Sequence, residues 1–283
     1  MKILVHGANN TELGRTLYSR FSTNDDYIFT DTHEWDTPMI KFTPTNYYEV
    51  LGFIKKNEIN IVINCIEWGE LFAGVKPLYF ANAMKEVGGL LIQMSSANVF
   101  RGKKYNTPIS ETALVKTNGV TNFNESDILN SGCDYIILRT SWMYGIGSYS
   151  ITEILSFLKY ENIKAPINQV SSPTYAVDVA DVIDVILHDY SNSKKVNGKY
   201  AKSGIYHYSN EGVCSWYDFV YRLTEIYTHD WFTQEKRPII PTYEKRDEGY
   251  FVLDNRKIKE TFGITIPYWV DSLKKYVKRM WYS

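Results

Sequence analysis

The first residues able to do chemistry lie in one loop, Gly7-Ala8-Asn9-Asn10-Thr11-Glu12-Leu13-Gly14, between an apolar run (2–6) and a stretch with helical character (11–21). A strand, a glycine-bearing turn and a helix in that order can hold a pyrophosphate. Glycines allow the tight turn and the close approach of backbone, and the first amides of the helix face the anion. Gly7 and Gly14 fill the first and last of these roles. The middle glycine is absent, with Asn10 or Thr11 in its place, and the loop is one residue longer than a G-x-x-G-x-x-G spacing. Asn tolerates positive φ, so the turn can persist. Glu12 would repel phosphate. Asp31, at the end of the next apolar run (27–30), stands where an acid meets an adenosine ribose, which favours NAD over NADP. A scaffold that has kept its turn and lost its cofactor explains the same residues equally well.

A second group, Ser95-Ser96, ends another apolar run (90–95). It does not form G-x-S-x-G, so hydrolase chemistry is poorly supported. The histidines (His6, His33, His188, His207 and His229) are scattered, and Cys65, Cys133 and Cys214 fit no metal spacing. His207, between Tyr206 and Tyr208, reads as a structural residue.

The elements that would position these groups alternate. Strands are expected at 2–6, 27–30, 59–65, 90–95 and 135–139, and helices at 11–21, 47–57, 77–87 and 122–131. The continuous β-branched run Ile59-Asn60-Ile61-Val62-Ile63-Asn64-Cys65 suits a parallel strand buried on both faces. The fold expected is α/β, a Rossmann-like doubly wound parallel sheet with a smaller mixed C-terminal lobe. The dinucleotide-type domain spans 1–150 and the smaller lobe 151–283, with 165–190 and 204–210 returning to the first. In the second half, helices are expected at 151–160, 172–187 (after Pro173-Thr174), 215–227 with Ser215 as N-cap, and 267–280. A strand is expected at 205–209, and 191–203 reads as a polar surface loop.

Composition narrows the function. A net charge of -1 gives no broad basic surface, so nucleic acid is not an expected partner. No run reaches the ~18 apolar residues of a membrane span, and the N-terminus enters a strand directly, so no membrane is expected and the cytoplasm is the default. Three sparse cysteines agree with a reducing compartment. The small basic clusters, Lys194-Lys195 and Lys274-Lys275 with Lys278-Arg279, read as solvated faces.

Several blocks, in order along nearly the whole chain, resemble the dTDP-4-dehydrorhamnose reductase family of extended short-chain dehydrogenase/reductases. They include Met1-Lys2-Ile3-Leu4-Val5-His6-Gly7-Ala8, Ile61-Val62-Ile63-Asn64-Cys65 and Ser95-Ser96-Ala97-Asn98-Val99-Phe100. Others are Leu138-Arg139-Thr140-Ser141-Trp142, Ser172-Pro173-Thr174 and Cys214-Ser215-Trp216-Tyr217-Asp218-Phe219. The resemblance implies hydride transfer from NADP or NAD to the C4 ketone of a nucleotide-linked 6-deoxy sugar. Gly7, Asn10, Thr11, Leu13, Gly14, Asp31, Cys65, Ile66, Ser95 and Ser141 would then contact the cofactor. A tyrosine would act as general acid, with a lysine four residues later lowering its pKa, and a hydroxyl would bind the carbonyl.

That hydroxyl survives as Ser96. Gly119, Thr121 and Glu125 set the register of the family's Y-G-x-S/T-K segment, and there the tyrosine has become Asn118 and the lysine Asn122. Asn is no acid at useful pH and supplies no cation. Other departures accumulate. Asn64-Cys65-Ile66-Glu67-Trp68 puts bulk where a family cofactor wall has small residues. The loop 69–76 is about a dozen residues shorter than the family's. Asp247-Glu248 replaces an Arg-Pro that would meet the diphosphate. The conserved-looking Trp142, Trp216, Phe219 and Phe262 read as packing. Two functions follow. One is a reductase-like protein on a nucleotide sugar, with activity lost or altered. The other is a non-catalytic homologue that binds a nucleotide or a protein partner in regulation or assembly. Nothing in the sequence points to an oligomeric state.

Overall fold

The computed structural model of the chain describes residues 1–35, 37–66, 76–100, 106–115, 120–157, 162–231, 238–244 and 249–282, with the side chains of 120–124, 228–231 and 281–282 outside that description. The first half runs β1 (Lys2–His6), α1 (Glu12–Phe21), β2 (Tyr27–Asp31), β3 (Ile40–Lys41), α2 (Tyr47–Lys56), β4 (Ile59–Asn64), α3 (Pro77–Val87), β5 (Leu90–Ser96), a 3-10 turn (Ala97–Phe100), α4 (Val120–Ser131) and β6 (Asp134–Thr140). The second half holds β7 (Met143–Tyr144), α5 (Tyr149–Phe157), β8 (Ile163–Pro166), β9 (Gln169–Ser171), β10 (Thr174–Tyr175), α6 (Ala176–Asn192), β11 (Gly204–His207), β12 (Cys214–Ser215), α7 (Trp216–Trp231), β13 (Ile239–Thr242), β14 (Gly249–Tyr250), α8 (Arg256–Phe262) and α9 (Trp269–Tyr282).

Seven strands form one sheet in the order β11-β6-β5-β4-β1-β2-β3, and every pairing is parallel. Alternation along β1 feeds two cores. Ile3 and Val5 pack with Leu13 and Leu17 of α1 and Val179 and Ile183 of α6. Leu4 packs with Val50 and Ile54 of α2 and Phe80 and Met84 of α3 on the other face. Chain direction across the sheet reverses between β1 and β4, and such a switch point opens a crevice at the carboxyl ends of the strands.

Local chemistry fixes the helix ends that matter for that crevice. Thr11 caps α1, its Oγ1 accepting from the Gly14 amide at 2.9 Å. Ser215 caps α7 as its sequence implies: its Oγ accepts from the Asp218 amide, and Asp218 Oδ2 accepts from the Ser215 amide in return. The second half builds its own core from Tyr144, Ile151, Tyr175, Phe219, Leu223, Trp269 and Tyr276.

Two expectations need revision. The stretch 191–203 is not a simple surface loop. Helix α6 continues to Asn192, and Tyr200 is buried, donating from its hydroxyl to Asp189 Oδ2 at 2.6 Å. Polar composition concealed that one anchor. Helix α8 was also missed. Its seven residues are too few for a clear helical period. Among the described residues no helix is long and apolar enough to cross a membrane, and no cluster of His, Cys, Asp and Glu could hold a metal ion.

Candidate functional site

The turn between β1 and α1 has the backbone its glycines imply. Gly7 sits at φ +80°, in the left-handed region. Gly14 lies so close beneath the turn that an added Cβ would stand 2.0 Å from the Gly7 carbonyl oxygen. The long form of the loop is held by its own polar groups. Asp31 Oδ2 accepts from the Asn9 amide at 2.7 Å and the Asn10 amide at 3.1 Å, and Oδ1 from the Thr32 amide at 2.6 Å. The Asn10 side chain donates to Thr32 Oγ1. Asp31 is 0% exposed. The carboxylate is turned inward and acts as a brace for the turn.

A cleft of about 610 Å³ opens against this turn. Its walls include Asn10, Thr11, Glu12 and Leu13 on one side, Cys65 and Ile66 beyond β4, and Ser96, Asn98, Thr140 and Trp142 at the far end. Helix geometry leaves the Glu12 and Leu13 amides without intrahelical acceptors, at the positive end of α1. These amides suit the phosphates of a nucleotide, and the Glu12 carboxylate in the same wall opposes them. Ile66 leans over Gly7, with Cγ1 2.5 Å from where a Gly7 Cβ would lie. Of the bulk expected to obstruct the site, Ile66 forms part of the cleft wall. Glu67 and Trp68 lie outside the described residues. Burial pushes the Cys65 thiol up to about 12, which rules it out as a nucleophile near neutral pH.

Ser96, Asn98, Thr140 and Trp142 also line a smaller cavity of about 210 Å³ that continues toward Ser141, Gln169 and Phe251. Ser96 is thus placed at the junction of a nucleotide-sized cleft and a second chamber. Trp142 was read as packing. The structure puts it in both walls, at φ +36°, edge-on to Trp216 with ring centroids 5.2 Å apart. A bulky residue held at positive φ is backbone strain of the kind that clusters at ligand sites. The Arg-Thr-Ser-Trp block carried the signal, and only the chain path turned it toward the cleft. Ser141 lines the smaller chamber, and its hydroxyl is given to the Ser172 carbonyl at 2.7 Å.

Ser95 is buried. Its hydroxyl donates to Glu125 Oε1 at 2.6 Å. Glu125 also takes two bonds from Arg139, Nε to Oε1 at 2.9 Å and Nη2 to Oε2 at 2.6 Å. Arg139 Nη1 reaches His207 Nε2 at 3.3 Å. His207 Nδ1 faces the Ile109 carbonyl at 2.9 Å, which can only accept, so the proton is on Nδ1 and Nε2 accepts. This buried network anchors α4 and the Ser95-Ser96 strand end beneath the cleft. His207 has the structural role expected of it.

Burial and the adjacent Arg139 charge push the His207 pKa down to about 3. Burial lowers that of His6 to about 4, against a raising influence from Asp31. Both rings bind a proton more readily in the unfolded chain, near an ordinary value of ~6.5. Stability is therefore full above that value and is lost as pH falls through it toward the folded values. The slope is up to ~1.4 kcal/mol per pH unit for each histidine. The urea midpoint at about pH 5 is expected to fall clearly below that at about pH 7.5. Equal midpoints would contradict two neutral buried histidines.

The segment expected to correspond to the family's tyrosine and lysine falls partly outside the described residues: Asn118 does, and so does the Asn122 side chain, although Asn122 lies in α4. The sequence is unambiguous nonetheless, since neither tyrosine nor lysine occurs in 117–134. Among the described residues that line the two cavities there is likewise no tyrosine, lysine or arginine.

The family profile described as RmlD substrate binding domain matches residues 1–281. The chain belongs to the dTDP-4-dehydrorhamnose reductase family. A relative with that name from Aggregatibacter actinomycetemcomitans is 28% identical over 303 residues, covering 96% of this chain and 97% of its own. The spore coat polysaccharide biosynthesis protein SpsK of Bacillus subtilis is 27% identical, covering 74% of this chain and 71% of its own. The solved dTDP-4-dehydrorhamnose reductase of Clostridium acetobutylicum superimposes with a TM-score of 0.79 at 26% identity, covering 99% of this chain and 100% of its own. The Bacillus anthracis protein of that name, solved with NADP, has the same fold at TM-score 0.78 and 20% identity, covering 98% and 99%. The family is one of oxidoreductases, and NADP or NAD is present in several solved members of the wider fold.

Proposed function

We propose that this protein is a nucleotide-binding member of the family that has lost the reductive step, and that it acts through binding in the assembly of a sugar polymer. One observation carries the reading: an open cleft ends at Ser96, beside a helix whose catalytic segment has no tyrosine and no lysine. The ligand class that suits the cleft is a nucleotide, NADP or NAD included, held by the first amides of α1 and the wall from Thr11 to Leu13. NAD(P)H would supply the hydride when bound. Ser96 could position a ketone, and among the described residues that line the cleft there is no tyrosine or lysine to deliver its proton. The role in polymer assembly draws on the naming of the relatives, spore coat polysaccharide and dTDP-rhamnose proteins alike.

A positioned general acid contributes roughly 10²–10⁴-fold, and losing its activating cation adds to that loss. Turnover of a dTDP-4-dehydro-6-deoxy sugar with NADPH is expected to be at least ~10⁴-fold below that of a working family reductase assayed alongside. Nicotinamide fluorescence should report binding in the same samples. The double variant Asn118→Tyr/Asn122→Lys is expected to stay silent, because the shortened loop and the acids Asp247-Glu248 still disfavour a sugar diphosphate. Steady NADPH consumption by either protein would overturn the proposal. The second reading, an active reductase with a rewired acid, has one observation in its favour: the cleft is open all the way to Ser96. The same assay separates the two.

A further inference from the structure

Behind the nucleotide turn, on the side away from the cleft, lies a separate cavity of about 510 Å³ between α1, the 146–147 loop, α5 and the last turns of α9. Its lining includes two arginines, Arg15 and Arg279, together with Tyr18, Ser19 and Thr152. Arg15 is fixed before any ligand arrives. Its Nε donates to the Ile146 carbonyl at 2.6 Å, Nη1 to the Asn9 carbonyl at 2.6 Å and Nη2 to the Gly147 carbonyl at 3.3 Å. A guanidinium has five N–H donors, so two are left without an acceptor among the described residues. Arg279 gives one long bond, Nη2 to Ser19 Oγ at 3.3 Å, and its guanidinium also interacts with the Tyr175 hydroxyl. Among the described residues the only carboxylate within 4.0 Å of either guanidinium is Glu12, at that limit from Arg15 Nη2.

We propose that this cavity is a second binding site, for the phosphate group of a small phosphorylated metabolite. A phosphate monoester carries close to two negative charges and three terminal oxygens. It can satisfy two guanidiniums and the flanking hydroxyls at once, whereas a carboxylate would satisfy one. Because Arg15 is already held in place, little side-chain freedom is lost on binding. The volume leaves room for the body of a sugar or similar group. The site is independent of what the cleft binds, and its other residues lie outside the cleft walls.

The test titrates glucose 1-phosphate, glucose and inorganic phosphate into the full chain, followed by calorimetry and ligand-observed NMR. The sugar phosphate is expected to bind in the millimolar range or tighter, inorganic phosphate to compete with it, and glucose to give no signal. Arg279→Gln, at an exposed position, should weaken binding about tenfold, the loss of one charge-assisted contact. Arg279→Lys should recover part of that loss. Lys275→Gln, an exposed change on the same helix outside the cavity, should leave affinity unchanged. The proposal is overturned by no binding at about 20 mM sugar phosphate, by equal affinity in Arg279→Gln, or by an equal loss in Lys275→Gln, which would mean diffuse charge attraction.

Discussion

Glu125→Leu is expected to lower the unfolding free energy by about 3–5 kcal/mol and the melting temperature by ~10 °C. The carboxylate accepts three bonds, two from Arg139 and one from Ser95, and both charged partners are only 2% exposed. Taking it away strands a guanidinium whose remaining neighbours are the His207 ring and the Phe100 face, 5.1 Å from its centre. Neither offsets a full buried charge. The double variant Glu125→Leu/Arg139→Met should be much milder than the single change, since replacing a buried pair by apolar groups is often neutral. If the double variant instead loses the sum of the two single losses, the pair is not coupled as described. The site should suffer with the fold, because the network holds the end of β5 that presents Ser96.

Gly14→Ala is expected to cost about 3 kcal/mol and to abolish ligand binding in the cleft. The added methyl would fall 2.0 Å from the Gly7 carbonyl oxygen and 2.9 Å from the Ala8 Cα, both backbone atoms of the turn itself. The turn must shift, and with it the amides of α1 and the bonds to Asp31. The same substitution at Gly52, in α2 with no atom within 4 Å, makes the control. There alanine should stabilise by about 0.5–1 kcal/mol through its better helix propensity. Denaturant midpoints of the two variants should move in opposite directions, and a tolerated Gly14→Ala would mean that the turn is not held in one form.

Much of the frame was legible in the residues. The strands β1, β4 and β5 are continuous apolar runs, which only a sheet covered on both faces explains, and the helices between them have clear periods and caps. The Gly7 to Gly14 spacing placed the turn. The proposal that Asn118 and Asn122 stand at the family's acid and cation rests on Gly119, Thr121 and Glu125, which set a register. The site itself was less legible. The surroundings of Asp31, Ser95 and Trp142 could not be read from their place in the chain. Asp31 is spent on the turn, Ser95 on Glu125, and Trp142 forms a wall.

The sequence by itself determined the scaffold, the family, and that residues 117–134 hold neither tyrosine nor lysine. These are properties of local pattern and of residue identity, which need no partner to be read. Only the tertiary structure decided which way the polar groups point. Arg139 meets a carboxylate 14 residues away and an imidazole 68 away, and that imidazole meets a carbonyl 98 away. A buried polar group goes wherever its hydrogen bonds can be completed, and no local period records that choice. Whether the space above Ser96 is filled or open is decided the same way, by how distant walls meet.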